Sequence, residues 1–526
     1  MVTPVLAQSA DRPGYPWHVS SPAEADLRPP RSVAAAVDRV RQADSIWWLA
    51  FVAAAFTAAL LALVVPRLGL SWDETVYISQ VSSHTPAAYF DPARARGIPL
   101  LVAPVTMLTS SVLAVRIYLA VASGVALFLA LLCWRGLRPA WQLALAGVLF
   151  GGLWTTLYYG PQAMPDLWVA FSSLAAVGLF LQAAGPDATR TAAPAADAAP
   201  QVRSTRWGVL AGLTVCVAIA ALVRPGDALY LAAALGIAVI AVRRWRRWQL
   251  LAAVVIGFAA GAADWVIEAY VRFGSALNRL HEAGAEQGGF GFHFAVWDEL
   301  RSVNGPTLCR PCTVGLRYPE LSLWWLALPV LVVLGAFAAH RAGRLASSVL
   351  ASACGLSLAF QYLFLINYAA PRFLLPAYAL AAIPAADAIG GLLTGIQRNL
   401  RGPAALLVAV VLGIQLLIQM TVLEHQVVEK VSFFGDYNRI AGDLRSLGIR
   451  PPCLVKGKQN IPVAFYAGCA SAPAVATGQK SNEPVVVLVS PGQPPPEYAR
   501  GWILHSLPGI RSQLLEVNAY LAPRGS

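Results

Sequence analysis

Charge is scarce in this chain. Of its 526 residues only 13% are Asp, Glu, Lys or Arg, against 57% hydrophobic, and the mean hydropathy is +0.58. Soluble globular domains carry about 25% charged residues, so the composition excludes that class. The charges gather in short clusters between long apolar runs, which is the pattern of a polytopic membrane protein. A formal net charge of +12 would suggest nucleic acid in a soluble protein. Here most of the excess is arginine between apolar runs, the signature of membrane orientation, and no nucleic-acid partner is expected.

Other absences narrow the reading. Met1 to about Asp44 has no apolar core near its start, which argues against a signal peptide there. It is polar and rich in Pro and Ala, and reads as a disordered cytoplasmic tail. No internal repeat is evident, and the informative charges lie at span ends, which speaks against the main alternative, a secondary transporter. Cysteine is rare, with seven in the chain. Cys133, Cys216 and Cys354 sit in apolar runs and read as small core residues. Cys309 with Cys312, and Cys453 with Cys469, lie in polar regions and are disulfide candidates in an oxidising compartment. A redox-active or zinc-binding role for Cys309-Arg-Pro-Cys312 remains open, but no second CxxC or nearby His pair completes a zinc site.

What is present is a series of about 11 apolar spans. The first runs from Ile46 to Val65 and the last from about Ala404 to Leu423. A weaker apolar piece, Gly97 to Ser111, is too short to cross and is expected along the outer face. With the N-terminus inside, each expected cytoplasmic loop carries at least two arginines, including Arg135 with Arg138 and the RRWRRW cluster from Arg243 to Trp248. The low-complexity segment from Gly185 to Arg206 reads as a disordered cytoplasmic loop. The bias places the transmembrane part at residues 45–423, with outer loops at 70–111 and 271–320. Residues 424–526 are then an extracytoplasmic domain. Its DYNRIAGDLRSLGI stretch has helical spacing, and PCLVKG, PVVVLVS and GWILHSL are strand-like, so a small α/β domain is expected. No glycine-rich phosphate motif follows its strands, and it is assigned no cofactor.

The chemistry concentrates at one set of span ends. Asp73 and Glu74 stand together just after the first span, followed by Asp91, Arg94 and Arg96. Tyr158 to Asp166, Arg224 to Asp227 and Asn367 to Phe373 are short connections on the same expected side. Each could be a solvated loop with headgroup-anchoring arginines; their convergence on one side favours a site. The long loop 271–320 reads as a solvated structural loop or, alternatively, a flexible substrate cover. His281, His293, Asp298 and Glu299 within it match no metal-ligand spacing.

In order and position these segments resemble the GT-C glycosyltransferases that use polyprenyl-phosphate sugars, in particular the protein O-mannosyltransferase and lipid A aminoarabinose transferase branch. Asp73-Glu74 occupies the place of that family's acidic pair. Arg96-Gly-Ile-Pro-Leu-Leu101 is similar to its His-Pro-Pro-Leu segment, with Arg116 in its Ala-Leu-Arg position. Tyr158-Tyr-Gly-Pro-Gln-Ala-Met-Pro-Asp166 is similar to Tyr-Tyr-Gly-Arg-Glu-Ala-Arg-Pro-Asp, and Arg372-Phe-Leu-Leu-Pro376 to Arg-Tyr-Leu-Leu-Pro. The sequence departs in lacking the histidine of the first segment and in keeping only Asp166 as a charge in the second.

The resemblance implies a sugar moved from a polyprenyl-phosphate donor to a glycan, lipid or protein acceptor of the cell envelope, on the outer face of the plasma membrane. Asp73 would be the general base, with Glu74 orienting it or raising its pKa. Asp166 would bind sugar, acceptor or a divalent cation, Mg or Mn. Arg94, Arg96, Arg224 and Arg372, with Tyr158, would hold the donor; guanidinium suits phosphate. For Arg116 a structural role within the bundle is favoured. A near-headgroup position is expected to raise the pKa of Asp73 toward that of a useful base. The Ala/Arg/Pro-rich composition suits a high-GC bacterium such as an actinomycete. An oligosaccharide polymerase or ligase is the other enzymatic alternative, against which the early acidic pair argues.

Overall fold

The computed structural model describes residues 31–185, 207–289, 291–316, 318–473, 483–508, 510 and 517–522. The expected linker at 186–206 and most of the expected N-terminal tail, residues 1–30, lie outside the described residues. Residues 31–44 belong to the helix Arg31–Leu63, although they fall in the stretch expected to be disordered.

Among the described residues eight helices are long and apolar enough to cross a membrane, from Ile46–Leu63 through Val112–Leu132 to Arg398–Ser446. In hydrocarbon a helix satisfies every backbone polar group within itself, so Ala/Leu/Val-rich runs of this length fold this way. The other three expected spans fall on shorter apolar helices, Ala140–Gly151, Trp207–Val223 and Pro225–Ala241. A full crossing takes about 17–25 residues; Trp207–Val223 and Pro225–Ala241, at 17 residues each, stand at the lower end of that range, and Ala140–Gly151, at 12, falls short of it. The weaker apolar piece forms the short helix Gly97–Thr106.

Two helices begin with the same local signal. Pro165 and Pro225 occupy the first turns of Pro165–Ala184 and Pro225–Ala241, followed within that turn by Asp166 and Asp227. Proline is preorganised for a first turn, and a carboxylate there complements the helix dipole. Away from this end, Arg138 donates to both oxygens of the buried Asp387, at 2.8 and 3.0 Å from Nε. Ser348 adds a hydroxyl donor at 2.7 Å.

The helix of the last span does not end at Leu423. Arg401–Ser446 is one helix of 46 residues, so the expected amphipathic helix of the C-terminal domain continues the span. Ile440 and Leu444 are buried on its inner face. Beyond it lies a five-stranded sheet of order β2-β1-β3-β5-β4. It comprises β1 (Leu454–Gly457), β2 (Ala470–Ala472), β3 (Val485–Val489), β4 (Ile503–His505) and β5 (Asn518–Leu521). β1 pairs in parallel with β2 and β3, whereas β5 is antiparallel to β3 and β4. Cys453 and Cys469 are bridged, as are Cys309 and Cys312.

This domain rests on the segment that follows the first span. Tyr466 accepts a hydrogen bond from the Leu70 N–H at 3.1 Å. At Gly69 an added Cβ would stand 3.1 Å from the Cβ of Phe434, so glycine permits the close approach. The helix Trp72–Ser79, with Asp73 in its first turn, is thereby held from both sides.

Candidate active site

Six span-end charges singled out in the sequence meet in one cavity of about 240 Å³: Asp73, Asp91, Arg94, Asp166, Arg224 and Arg372. They form an alternating row. Arg94 donates to Asp91 and, at 2.7 Å, to Asp73. Arg372 lies 3.4 Å from Asp73 and 3.5 Å from Asp166. Arg224 pairs closely with Asp166 and stands 3.7 Å from Asp227. Asp227 in turn accepts from the Tyr362 hydroxyl at 2.6 Å and from Gln361. The guanidinium of Arg224 also faces the rings of Tyr362 and Phe373, at 5.3 and 5.2 Å, a cation–π arrangement that fixes its plane.

The electrostatics of Asp73 correct the sequence expectation. Burial pushes its carboxyl up, but Arg94, Arg372 and Arg224 together outweigh burial and hold it below the ordinary carboxylate range. Headgroup proximity alone favours a raised value; the three guanidinium groups brought against the carboxyl reverse it.

Three other residues do not join the cavity. Glu74 neighbours Asp73 in sequence, but successive helix positions point about 100° apart at 3.6 residues per turn. Its carboxylate is wholly buried, 2.6 and 2.8 Å from the two Nη atoms of Arg116. It also accepts from Ser71 N–H at 3.0 Å, Ser71 Oγ at 2.9 Å and Ala163 N–H at 2.9 Å. Arg116 donates further to the carbonyl of Pro161 at 2.7 Å. Glu74 therefore ties the Asp73 helix to the Val112–Leu132 helix and to the Tyr158–Asp166 turn, and does not touch Asp73.

Arg96 pairs with Glu268, donates to Gln80 at 3.0 Å and lies 4.1 Å over Phe90. Tyr158 is buried edge-on against Trp154 and Tyr159. Both support the walls.

Arg310 and Tyr368 line the cavity without having been singled out. The Cys309–Cys312 bridge closes a short loop, and Cys309 pairs with Ala369 through N–H···O bonds of 2.8 and 3.2 Å. The Arg310 guanidinium stands 4.9 Å over Tyr368 and donates to the Glu286 carbonyl at 3.0 Å. Among the described residues no carboxylate lies within ion-pair distance of it. The cysteines drew attention to this tetrapeptide and hid its arginine. Asp227 carried a readable signal, the same proline-then-aspartate helix start as Asp166. Glu286 and Gln287 also line the cavity, so the loop 271–320 contributes directly to the site.

A divalent cation needs several converging oxygen ligands. Among the described residues no three His, Cys, Asp or Glu side chains come together in that way, and Asp73 and Asp166 each face two arginines.

No protein-family model matches the sequence, and no curated protein matches it. Solved structures do. ArnT from Cupriavidus metallidurans bound to undecaprenyl phosphate is 13% identical, with a TM-score of 0.62 over 90% of this chain and 98% of that one. Its apo state gives 0.59 over 94% and 99% at the same 13% identity. The Archaeoglobus fulgidus oligosaccharyltransferase in complex with Zn and sulfate gives 0.50 at 13% identity, over 80% of this chain and 62% of that one. This chain shares its fold with ArnT and with the archaeal oligosaccharyltransferase.

Proposed function

We propose that the protein is a membrane glycosyltransferase that moves a sugar from a polyprenyl-phosphate donor to a hydroxyl group of a cell-envelope acceptor, be it glycan, lipid or protein. The observation that carries this reading is the row Arg94–Asp73–Arg372–Asp166–Arg224 at the bundle's polar end. It sets a basic carboxylate among cations suited to a phosphate. The binding of undecaprenyl phosphate by a protein of the same fold supports the donor class.

In the reaction the acceptor O–H gives its proton to Asp73 as its oxygen bonds to the anomeric carbon. The bond from that carbon to the phosphate oxygen breaks, and its electron pair leaves with the phosphate. The leaving group needs no acid, because a phosphate ester oxygen departs as a stable anion; it needs cations at the developing charge. Arg372 suits this task. Its carboxylate contacts of 3.4 and 3.5 Å are longer than ordinary charge-assisted bonds, so it can turn to a phosphate at little cost. Arg310 brings a charge with no carboxylate beside it. A bound phosphate draws the arginines from Asp73 and adds negative charge nearby, and both effects raise the Asp73 pKa when the base is needed. Asp166 and Arg224 orient the sugar. The site is assigned to the extracytoplasmic face of the plasma membrane, with a cytoplasmic N-terminus.

The test is transfer or hydrolysis of a polyprenyl-phosphate sugar by purified protein in detergent, with no membrane gradient. A folded protein that neither binds nor turns over decaprenyl- or undecaprenyl-phosphate sugars would overturn the proposal.

A further inference from the structure

A second cavity, of about 440 Å³, lies between the helices Ala140–Gly151, Leu323–Arg341, Leu375–Gly395 and Arg401–Ser446. It shares no lining residue with the polar cavity, and its wall is almost wholly apolar. Leu392, Leu407 and Val411 on that wall are 54%, 64% and 56% exposed. The cavity therefore opens on the apolar flank of the bundle, which faces hydrocarbon.

Three polar side chains interrupt the wall, Tyr378, Gln415 and Gln419, of which Tyr378 and Gln419 are buried. Gln419 is 1% exposed, and its Oε1 accepts the Trp154 N–H at 2.9 Å. That bond fixes the orientation of the amide, and its Nε2 has no partner among the described residues. Tyr378 accepts from Trp325 Nε1–H at 2.8 Å, which leaves its own hydroxyl proton to donate. Both groups are donors, and no water enters hydrocarbon to meet them. They call for an acceptor carried on an apolar chain.

Depth and length define that chain. Five residues beyond Gln419, Glu424 pairs with Arg67 at 2.6 Å, just past the first span. At about 1.5 Å per residue, Gln419 lies about 7 Å below this pair, close to the boundary between the interfacial layer and the hydrocarbon. The wall from Gln419 to Leu407 covers about 18 Å of helix, and one leaflet's hydrocarbon is about 15 Å thick.

We propose that this cavity binds one acyl chain of a membrane phospholipid, with its ester carbonyl on Gln419 Nε2 and Tyr378 Oη. The site is separate from the donor site and does not depend on the transferase reading. It bears on the polar cavity through Trp154, since Gln419 holds the start of the helix Trp154–Tyr159, and the Tyr159 ring faces Arg372 at 5.9 Å.

The test uses the full chain reconstituted in vesicles of phosphatidylglycerol bearing a photoreactive diazirine on one acyl chain, with cross-links mapped by peptide mass spectrometry. Cross-links should concentrate on 407–419 and 382–392. Leu412→Trp, which fills the cavity, should reduce them at least tenfold while labelling of the other spans is unchanged. Val408→Trp serves the same purpose if Leu412→Trp does not fold. Uniform labelling of all lipid-facing helices would overturn the proposal. So would displacement of these cross-links by excess undecaprenyl phosphate, which would assign the cavity to a polyprenyl tail.

Discussion

Arg372 Nη2 lies 3.4 Å from Asp73 Oδ2, so the proposed base and the proposed phosphate ligand already touch before any substrate arrives. Their roles separate by substitution. Asp73→Asn keeps shape and removes the basic charge; loss of a general base costs about 10²–10⁴-fold in rate, with donor affinity within a few-fold of normal. Arg372→Ala should weaken donor binding at least as much as turnover. The measurements are transfer rate and donor affinity for both variants, with folding checked by thermal melt. A folded Asp73→Asn enzyme with near-normal turnover would remove Asp73 as the base.

The pH dependence has a definite sign. With its pKa held below the ordinary carboxylate range, Asp73 is ionised in the free enzyme throughout the neutral and mildly acidic range. The profile of kcat/KM reports the free enzyme, so its acid limb should fall below about pH 4, the usual Asp value. Arg94→Gln removes the partner at 2.7 Å and should move that limb upward. An acid limb in the wild type near pH 6 would contradict the arrangement.

Glu74 should behave as a structural residue. It and Arg116 are both wholly buried, and breaking such a pair by removing one partner typically costs about 3–5 kcal/mol. Glu74→Gln should lower the melting temperature strongly. Replacing both residues with apolar ones of similar size should recover part of the loss. A stable Glu74→Gln protein that loses only turnover would return Glu74 to the chemistry.

Arg310 reaches the cavity from a disulfide-closed loop. Arg310→Ala should raise the KM for the donor with less effect on kcat, because it supplies a charge to the bound phosphate. Cys309→Ser with Cys312→Ser should shift KM in the same direction, and the steady-state kinetics of the two variants decide it.

Orientation can be read with single cysteines. Ser83 is exposed in the loop after the Asp73 helix, and a cysteine there should label from outside intact cells. A cysteine at Ala195 should label only after permeabilisation. Outside labelling at Ala195 would strand the proposed site on two sides of the membrane.

Much of the site was legible because polar residues at the ends of apolar runs have few places to go. Asp73, Asp166, Arg224 and Arg372 could be placed together by counting spans and loop charges. What was not legible depended on direction and on distant chain. Asp73 and Glu74 look equivalent as neighbours in sequence, and only the helical turn sends one to the cavity and the other to Arg116. Arg96 lies two residues from Arg94, yet Glu268, 172 residues further on, draws it away. Arg310 needed the long loop to fold back through Cys309 and Ala369. The 46-residue helix escaped because a composition change at Glu424 marks where helix leaves hydrocarbon, and not where it ends.

The hydrogen bond from Leu70 to Tyr466 spans 396 positions of sequence. The chain is made from its N-terminus, so Leu70 exists long before Tyr466 has been made. Until then the Asp73 helix lacks the surface formed by Phe434, Tyr466 and the sheet behind them. A growing polypeptide thus holds its first spans while the proposed base is still unsupported. Support for the Asp73 helix is complete only when nearly the whole chain has been translated.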